Sequence, residues 1–345
     1  MTAGVTEDQR LLGLRPETLT QLRAAGLVPG DVARAVRAAL DEDFRYGADV
    51  TSGATVAGRT VTANVVAREA GVLAGGPVAL AVFDLLADYL GSGSSGVSAG
   101  GMAKAPLPDP TRQASGETTS GAHWVAPVTA TVLVADGTRV SAGGAVLRVS
   151  GDAVAVLGAE RTMLNFLTHL SGIASATRAW ADAVAGTGAV VRDTRKTLPG
   201  LRVLEKYAVR CGGGENHRMG LGDAALVKDN HVAAAGGIGA AVRAVRAAAR
   251  PGLVIEVECD TVEQVREALA AGARFILLDN MPIPVLREAV AVARVYDSVR
   301  LEASGGLQLS SARQVASTGV DYLSVGGLTH SSGALDLGLD YSGTD

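Results

Sequence analysis

The stretch LVIEVECDTVEQVREALAAGARFILLDN, residues 253–280, decides the fold class. It opens with a short apolar run near 253, continues through an amphipathic segment at 261–271, and closes with a second apolar run that starts near 275. Two short apolar runs separated by a segment of helical periodicity are typical of a strand, a helix and a second strand. The stretch therefore predicts a βαβ unit with parallel strands.

The same alternation continues on both sides of this unit. Apolar runs start near 189, 224, 253, 275, 299 and 321. Helical patterns lie between most of them, at 237–249, 261–271, 283–294 and 309–318. Six predicted strands that alternate with helices indicate a parallel sheet, arranged either as a barrel or as a doubly wound sheet.

Polar, charged or glycine residues end or follow every predicted strand. They are Asp193 to Lys196, Lys228 to Asn230, Glu258, Asp279 with Asn280, Ser304 to Gly306, and Gly326 with Gly327 before His330. In βα barrels the active site is built at the carboxyl ends of the strands. The placement predicts that all six units contribute to one site.

The region 192–218 is locally cationic, with seven Lys or Arg against three Asp or Glu in a chain of net charge −4. Because Arg binds carboxylate or phosphate bidentately and Lys adds a mobile charge, a small polyanion is the expected ligand. Nucleic acid is disfavoured, since only 3% of residues are aromatic. His217 is expected to contact substrate. Arg202 and Lys206 are either surface charges, the interpretation favoured for Arg202, or supports for the site.

The remaining strand ends carry either an acid or a pair of glycines. Glu258 and Asp279 are typical of Mg²⁺ held by few carboxylates together with substrate phosphates. They could equally accept hydrogen bonds from sugar hydroxyls or form structural salt bridges. The glycines at 305–306 and 326–327 favour a phosphate site, because the last two loops of such barrels commonly bind phosphate through backbone N–H groups.

The first half of the chain shows a different pattern. We predict a helix from Asp31 that ends in a turn at 41–43, a strand at 60–67 and a helix at 77–90. A Gly-, Ser- and Pro-rich insertion follows at 91–121 and is predicted to be a flexible, exposed loop. The alternation at 124–150 indicates a small β-meander with a hairpin at Asp136-Gly137, and 157–184 is a long amphipathic helix.

Composition sets further limits. The 345 residues are 48% hydrophobic, which is enough for a sizeable core, and they contain no apolar run long enough for a membrane span. Two cysteines, Cys211 and Cys259, cannot form a disulfide framework, so a reduced cytosol is expected. Cys211 is expected to be a small buried thiol rather than a nucleophile.

Lysine is rare in this chain. Of the 31 basic residues only four are lysine, and Lys196, Lys206 and Lys228 fall within one short region, whereas Lys104 lies in the insertion. Codon bias explains the general excess of arginine. A lysine that persists in such a chain indicates a position where a compact ammonium is needed.

Several short motifs together resemble the quinolinate phosphoribosyltransferase family. The motifs are Glu160-Arg161-Thr162, Asn165-Phe166, Leu170-Ser171-Gly172-Ile173-Ala174, Asp193-Thr194-Arg195-Lys196-Thr197, Pro199-Gly200, Glu205-Lys206-Tyr207-Ala208, Gly212-Gly213-Gly214, Asn216-His217-Arg218 and Lys228-Asp229-Asn230-His231. The resemblance covers roughly 31–90 and 123–345, and the block at 193–231 is the most specific.

The resemblance implies an activity and an architecture. Quinolinate and phosphoribosyl pyrophosphate would give nicotinate mononucleotide, pyrophosphate and CO₂ in NAD biosynthesis, with Mg²⁺, in a cytoplasmic homodimer. The fold would be an α/β fold, an incomplete seven-stranded α/β barrel with an N-terminal α/β sandwich domain. The implied organisation is a partly flexible lead-in at 1–30, the sandwich at 31–160, the barrel at 161–330, and a segment at 331–345 that packs back on the sandwich.

The resemblance also implies residue roles. Arg195, His217, Arg218 and Lys228 would bind quinolinate, and Arg161 would reach the neighbouring subunit's site. Lys196 and Lys228 would face the pyrophosphate, while Glu258 and Asp279 would lie near the ribose and Mg²⁺. The remaining substrate-binding residues, Thr194, Ser304, Gly305, Gly306, Gly326, Gly327 and His330, complete the site at the phosphate end.

Two alternatives remain. One is another enzyme of the same fold, such as a molybdenum-associated relative or a phosphoribosyltransferase that uses nicotinate. The other is a catalytically inactive protein that binds anions. The second predicts loss of key charges, yet Lys196, Lys228, Glu258 and Asp279 are all present.

Overall fold

The computed structural model describes residues 13–90 and 128–344, with side chains to residue 342. The predicted insertion at 91–121, the start of the pattern at 124–150 and the first twelve residues of the lead-in lie outside this part of the chain.

Helices and short strands alternate in the first part of the chain. The elements are α1 (Pro16–Ala24), α2 (Pro29–Phe44), α3 (Val50–Thr55), β1 (Thr60–Ala67), β2 (Gly71–Val72), α4 (Gly76–Leu90), β3 (Thr129–Val132), β4 (Arg139–Val140), β5 (Ala145–Asp152) and α5 (Ala153–Val184). The predicted strand at 60–67 and the predicted helices at 77–90 and 157–184 are confirmed. Within the predicted lead-in, Leu19 and Leu22 of α1 are buried in the core.

The first sheet is antiparallel, with strand order β12-β1-β5-β3. Strand β1 alternates buried and partly exposed side chains, so that Val61, Ala63, Val65 and Ala67 all face the core. Helices α4 and α5 pack against each other and against strands of this sheet. Burial of one face by helices leaves the other face of the sheet polar, which explains the alternation in sequence.

The predicted hairpin at Asp136-Gly137 is wrong. Strand β3 pairs with β5, whereas β4 pairs with β2 in a separate two-stranded sheet. The turn is used differently, because the Asp136 carboxylate accepts the backbone N–H groups of Gly75 (2.7 Å) and Gly76 (3.1 Å) at the start of α4. Capping of unsatisfied N–H groups at a helix N-terminus explains why an aspartate stands there.

The predicted turn at 41–43 is also wrong, because α2 continues to Phe44. The Phe44 ring packs on Tyr89 of α4, with ring centroids 5.7 Å apart. The Tyr89 hydroxyl also donates to the Asp41 carboxylate at 2.8 Å. Tertiary contacts to α4 therefore extend the helix through three consecutive acidic residues that sequence alone assigns to a turn.

The second part of the chain forms the parallel sheet. Its elements are β6 (Val190–Arg192), α6 (Arg202–Cys211), β7 (Ala225–Val227), α7 (Asp229–Ala235), α8 (Ile238–Ala248), β8 (Ile255–Cys259), α9 (Val262–Ala270), β9 (Phe275–Asp279), α10 (Ile283–Ala293), β10 (Arg300–Ser304), a 3₁₀ turn (Leu309–Ser311), α11 (Ala312–Ala316), β11 (Tyr322–Ser324), α12 (Gly327–His330) and β12 (Leu337–Thr344). The strand order is β6-β11-β10-β9-β8-β7, and every pair is parallel.

Each of the six strands predicted from the apolar runs is present within about three residues of its predicted start. The prediction of a parallel α/β sheet is therefore confirmed. The long helix α5 contacts strands of both sheets and helix α6, so it connects the two parts of the molecule. Among the described residues, no helix combines the length and apolarity needed to cross a membrane.

After the parallel sheet the chain returns to the first sheet. Strand β12 pairs antiparallel with β1, with Ala67 opposite Leu337. On the way it crosses α5 at Gly172, where a Cβ atom would lie only 2.0 Å from the Gly333 carbonyl oxygen. Glycine is required at this crossing because no side chain fits between the two backbones.

Candidate active site

The carboxyl ends of the six parallel strands lie at one edge of the sheet, and most of the predicted site residues lie at or just after them. Strand register places Ser304 beside Asp279 and Ser324 beside Arg192. Glu258 lies near the end of β8, next to β9, which ends at Asp279. The convergence follows from the parallel arrangement, since the strands all run toward the same edge.

One end of the site is a glycine-lined cavity of about 540 Å³. Eight of the predicted residues line it: Thr194, Lys196, Ser304, Gly305, Gly306, Gly326, Gly327 and His330. A Cβ atom on Gly326 would lie 3.2 Å from both His330 Nε2 and Lys196 Cδ, so the backbone and these side chains are already in close contact. Exposed backbone and two basic side chains make this cavity suitable for a phosphate group.

The other end of the site is cationic. Arg195, Lys196 and Arg218 form no ion pair with any acid in the described part of the chain. Burial and the nearby Arg195 guanidinium lower the pKa of Arg218, although Asp223 and Glu256 oppose this. The Arg195 Nε is buried without a hydrogen-bond partner. Neighbouring cations that form no direct ion pair are the arrangement expected where an anionic ligand binds.

Arg218 also lines a second cavity, of about 530 Å³, which has mainly apolar walls from β7, α7 and α8. His231, at the start of α7, belongs to this wall as well. Its Nδ1 accepts the Lys228 backbone N–H at 3.0 Å, so this histidine caps the N-terminus of α7.

A buried ion pair holds the cationic loops together. The Lys206 ammonium donates to the Asp193 carboxylate and, at 2.9 Å, to the His217 carbonyl. Asp193 also accepts the His217 backbone N–H (2.9 Å) and the Asn216 amide (2.5 Å). Burial raises the pKa of Asp193 and lowers that of Lys206, and in each case the partner's charge opposes the shift. The alternative that Lys206 is a surface charge is therefore wrong, since its side chain is 1% exposed.

Arg202 and Glu205, both on α6, support the same loops. Arg202 donates to Thr197 Oγ1 and to the Met219 carbonyl, both at 3.0 Å, so the favoured interpretation of Arg202 as an ordinary surface charge is also wrong. The buried Glu205 carboxylate accepts the Leu198 backbone N–H at 3.1 Å. It also contacts His169 Nε2 at 3.0 Å, so His169 of α5 supports the buried carboxylate.

The two acids predicted near the ribose and Mg²⁺ have polar partners. Glu258 Oε2 lies 2.6 Å from the Lys228 ammonium, and Asp279 Oδ2 accepts the Asn280 amide at 2.5 Å. Neither acid belongs to a cluster of three potential metal ligands within the described residues. Two carboxylates on adjacent strands suit an ion that takes its other ligands from substrate phosphates and water.

Sequence reasoning missed a polar network inside the sheet. Glu256 and Glu302 lie on β8 and β10, and both carboxylates face His217 Nε2, at 2.9 Å and 3.4 Å. Arg192 donates to Glu302 at 2.8 Å, and Ser324 donates to the other Glu302 oxygen. Burial, followed by the charge of Glu256, raises the pKa of Glu302. The sequence did contain a signal, because Glu256 and Glu302 each stand inside an apolar run. A charge within a buried strand needs a buried partner.

Arg161 is exposed on α5 and forms no ion pair in the described residues, so its predicted role in a neighbouring subunit stays a prediction.

Burial raises the pKa of the Cys211 thiol to about 12 and that of Cys259 to about 12, which keeps both thiols protonated and unreactive near neutral pH.

Together, fold and geometry define an α/β protein with a cationic, glycine-lined site at the carboxyl ends of parallel strands, which suits a small polyanion. Residues 173–340 match the family described as quinolinate phosphoribosyl transferase, C-terminal domain, and residues 119–171 match the corresponding N-terminal domain. The chain belongs to the quinolinate phosphoribosyltransferase family.

Individual relatives agree with this assignment. The nicotinate-nucleotide pyrophosphorylase [carboxylating] of Mycobacterium leprae is 49% identical over 90% of this chain and 97% of its own length. The chloroplastic protein of the same name from Arabidopsis thaliana is 36% identical over 90% of this chain and 82% of its own. The solved nicotinate-nucleotide pyrophosphorylase of Francisella tularensis is similar at a TM-score of 0.76, with 34% identity over 91% of this chain and 96% of that chain.

Proposed function

We propose that the protein is a nicotinate-nucleotide diphosphorylase (carboxylating). It transfers the phosphoribosyl group of phosphoribosyl pyrophosphate to quinolinate and releases pyrophosphate and CO₂, giving nicotinate mononucleotide for NAD biosynthesis. The observation that carries this proposal is a group of cations that form no ion pair within the described residues, Arg195, Lys196 and Arg218, of which Lys196 also lines the glycine-lined cavity. A dianionic acid and a phosphorylated sugar need both halves of such a site.

Quinolinate binds at the cationic end. Its two adjacent carboxylates need several donors, which Arg195, Arg218 and Lys228 supply as charges, with His217 beside them. Lys196 and Lys228 face the pyrophosphate. Arg161, which is exposed on α5, enters the site of a second copy in a homodimer. The exposure of a guanidinium without an ion-pair partner supports this role.

The 5′-phosphate end binds in the glycine-lined cavity. Thr194, Ser304, His330 and the glycines at 305–306 and 326–327 line that cavity, and their hydroxyls, imidazole and backbone N–H groups would contact the phosphate. Gly305 has φ +88°, which favours glycine and turns the loop toward the cavity.

Glu258 and Asp279 would hold the ribose hydroxyls and Mg²⁺. Their oxygen donors fit a hard divalent cation, and the ion when bound would neutralise charge on the leaving pyrophosphate. Lys228, 2.6 Å from Glu258, adds a cation on the same side. The small number of protein ligands supports binding of Mg²⁺ together with the substrate's phosphates.

The reaction is a substitution at C1 of the ribose. The pyridine nitrogen forms the new bond to C1 while the bond from C1 to the pyrophosphate oxygen breaks, and positive charge develops on the ring oxygen. Preorganised cations stabilise the leaving group, which is the main catalytic effect expected of this site. No covalent enzyme intermediate is needed, in agreement with the high thiol pKa of Cys211.

Decarboxylation follows transfer. Once the ring nitrogen is quaternary, it stabilises the electron pair left at C2 when CO₂ departs, and a proton then replaces the carboxylate. Single-turnover measurements are expected to show pyrophosphate release before CO₂, and CO₂ that appears first would contradict this order.

The parallel sheet is proposed to be the incomplete seven-stranded barrel. Glu215 extends the sheet beyond β6, because its N–H donates to the Val191 carbonyl (2.8 Å) and its carbonyl accepts the Asp193 N–H (3.2 Å). This one-residue bridge supports a seventh strand between β6 and β7. The domain limits at 31–160 and 161–330 belong to the same proposal. A cytoplasmic location belongs to it as well, and the two free cysteines support that location.

The deciding experiment uses the purified full-length chain with quinolinate, phosphoribosyl pyrophosphate and Mg²⁺, and follows nicotinate mononucleotide. Product is expected with quinolinate and not with nicotinate. Turnover of nicotinate alone would favour the alternative phosphoribosyltransferase of the same fold, and absence of turnover with either would favour the anion-binding protein. Omission of Mg²⁺ with added chelator is expected to abolish product.

A further inference from the structure

Lys196 belongs to both ends of the site. It lines the glycine-lined cavity, and it is also one of the cations that form no ion pair within the described residues. A lysine side chain is long and flexible, so its ammonium keeps one position only if the backbone that carries it is fixed. The contacts of the Lys196 backbone therefore determine where this charge lies.

Two threonine hydroxyls hold that backbone, one at the N–H and one at the carbonyl. Thr194 Oγ1 accepts the Lys196 N–H at 3.0 Å, and Thr329 Oγ1 donates to the Lys196 carbonyl at 2.8 Å. Thr194 belongs to the same loop, whereas Thr329 lies 133 residues further along the chain, on α12. No other donor in the described part of the chain reaches this carbonyl. Thr329 thus attaches the Lys196 loop to α12.

This attachment lies just beyond the point where β6 and β11 separate. In the described chain, the last backbone hydrogen bond between them runs from the Val325 N–H to the Arg192 carbonyl, at 2.9 Å. After it, one chain enters the loop with Lys196 and the other enters the glycines at 326–327. The Thr329 hydroxyl joins the two chains again, so the loop cannot move away from the cavity wall without breaking this bond.

The Thr329 side chain is buried, at 1% exposure, and its hydroxyl reaches two carbonyls. The Lys196 oxygen is 2.8 Å away, and the Gly326 oxygen, three residues back, is 3.1 Å away. A hydroxyl has one proton to donate, and the shorter distance favours Lys196. Many threonines bond only to a carbonyl of the preceding turn, as Thr318 does with Val315 at 2.7 Å. Such a local role does not explain the bond from Thr329 to Lys196.

We propose that Thr329 is a positioning residue that holds Lys196 beside the glycine-lined cavity, so that the cation and the phosphate site keep one fixed separation. A ligand that uses this separation carries two phosphate groups, one for the cavity and one for the ammonium. Phosphoribosyl pyrophosphate, with its 5′-phosphate and its pyrophosphate, has this form. The identity of the substrate rests on the proposed function, whereas the attachment of Lys196 by Thr329 does not.

The first test observes Lys196 directly and needs no activity. Because the chain contains only four lysines, labelling of the full-length protein with lysine enriched in ¹³C at the carbonyl gives four signals, and Lys196→Arg identifies one of them. Thr329→Val is expected to shift the Lys196 signal upfield, since the carbonyl loses its donor, while the other three stay. Thr329→Ser, which keeps a hydroxyl, retains the original position.

The matched control is Thr318→Val, which removes a buried hydroxyl that bonds only within its own turn. It is expected to leave all four carbonyl signals in place. A Lys196 signal that does not move in Thr329→Val, or four signals that move alike, would overturn the proposal.

The second test measures the consequence for the substrates. Thr329→Val is expected to raise the KM for phosphoribosyl pyrophosphate about 10-fold, as for removal of other supporting hydrogen-bond partners, with the KM for quinolinate within about 2-fold. Thr329→Ser recovers most of this loss, and Thr318→Val keeps normal values. Equal changes in both KM values, or an unchanged KM for phosphoribosyl pyrophosphate, would contradict the proposal.

A double-mutant cycle with Lys196→Met shows whether Thr329 acts through Lys196. In that background Thr329→Val is expected to change the KM for phosphoribosyl pyrophosphate by about 2-fold or less, because the positioned cation is already absent; a further loss of about 10-fold would overturn the proposal. Thr329→Cys, whose thiol is a weak donor, replaces Thr329→Val if that variant does not fold. If the unmodified enzyme does not use quinolinate, the proposed function fails, while the Lys196 carbonyl signal still decides the inference.

Discussion

The two ends of the site are built in different ways. The glycine-lined cavity is made largely by backbone at the ends of β10 and β11, and its geometry follows from strand register and glycine conformation. The cationic end is made by side chains whose positions depend on groups beneath them, among them the buried Lys206. Backbone sites follow directly from the fold, whereas side-chain sites need a second layer of interactions to hold them.

This difference predicts where the protein is sensitive to substitution. At the cationic end a single change beneath the surface removes several contacts at once, because the supporting groups are buried and charged. At the glycine-lined end the damage from a substitution is confined to the space that a new side chain would occupy. Substitutions at Lys206, Lys228 and Gly305 test this contrast.

The largest expected effect is at Lys206. Lys206→Met leaves the Asp193 carboxylate buried without its cation, which is expected to lower the free energy of unfolding by about 3–5 kcal/mol. Arg139→Met breaks an exposed pair with Asp182 and is the matched control, at about 1 kcal/mol or less. Urea unfolding of both variants measures the difference. Equal losses would show that the buried pair does not support the cationic end.

The double variant Lys206→Met with Asp193→Asn sharpens this result. Removal of both charges is expected to restore part of the stability, because no uncompensated charge is then buried. A double variant as unstable as the sum of the single ones would assign the loss to packing instead.

The next effect concerns catalysis. Lys228→Arg keeps the charge but replaces a compact ammonium, 2.6 Å from Glu258, with a planar fork that cannot occupy the same position. We expect kcat to fall about 100-fold, as when one preorganised donor is lost. Lys104→Arg is the control and is expected to keep full activity. Turnover near normal in Lys228→Arg would show that charge alone is sufficient there.

The smallest effect tests the glycine-lined end. A Cβ atom on Gly305 would lie 2.3 Å from Asn280 Oδ1 and 2.7 Å from the Asn280 backbone nitrogen, whereas a Cβ on Gly306 would meet nothing within 4 Å. Both have positive φ, so each alanine variant carries backbone strain of about 1–2 kcal/mol. Gly305→Ala is expected to lose more stability than Gly306→Ala in thermal unfolding. The reverse order would contradict the close approach seen here.

Sequence patterns predicted the parallel sheet well, because each strand is an apolar run with a helix beside it. The glycine-lined cavity was also predictable, since its residues follow directly after strands. The hairpin at Asp136-Gly137 was not, because the aspartate caps a helix that lies far away in sequence. Local turn chemistry cannot show which backbone a carboxylate will reach.

The buried supports were the hardest to predict. Lys206 belongs to an amphipathic helix in which a basic residue is normally exposed, and only the fold shows that Asp193 lies opposite it. Glu302 gave a weak signal as an acid inside an apolar strand. Its partners come from two other strands and a loop, so no spacing along the chain could identify them.

The pairing of β12 with β1 has a consequence for how the protein folds. Strand β1 gains its second neighbour only after the whole parallel sheet has been synthesised, since Ala67 pairs with Leu337. Contacts so distant in sequence form slowly and late. Until then β1 is an unprotected edge strand, which other chains can pair with and aggregate. A fragment that contains the first sheet should therefore stay monomeric only if the 337–344 strand is attached to it through a linker.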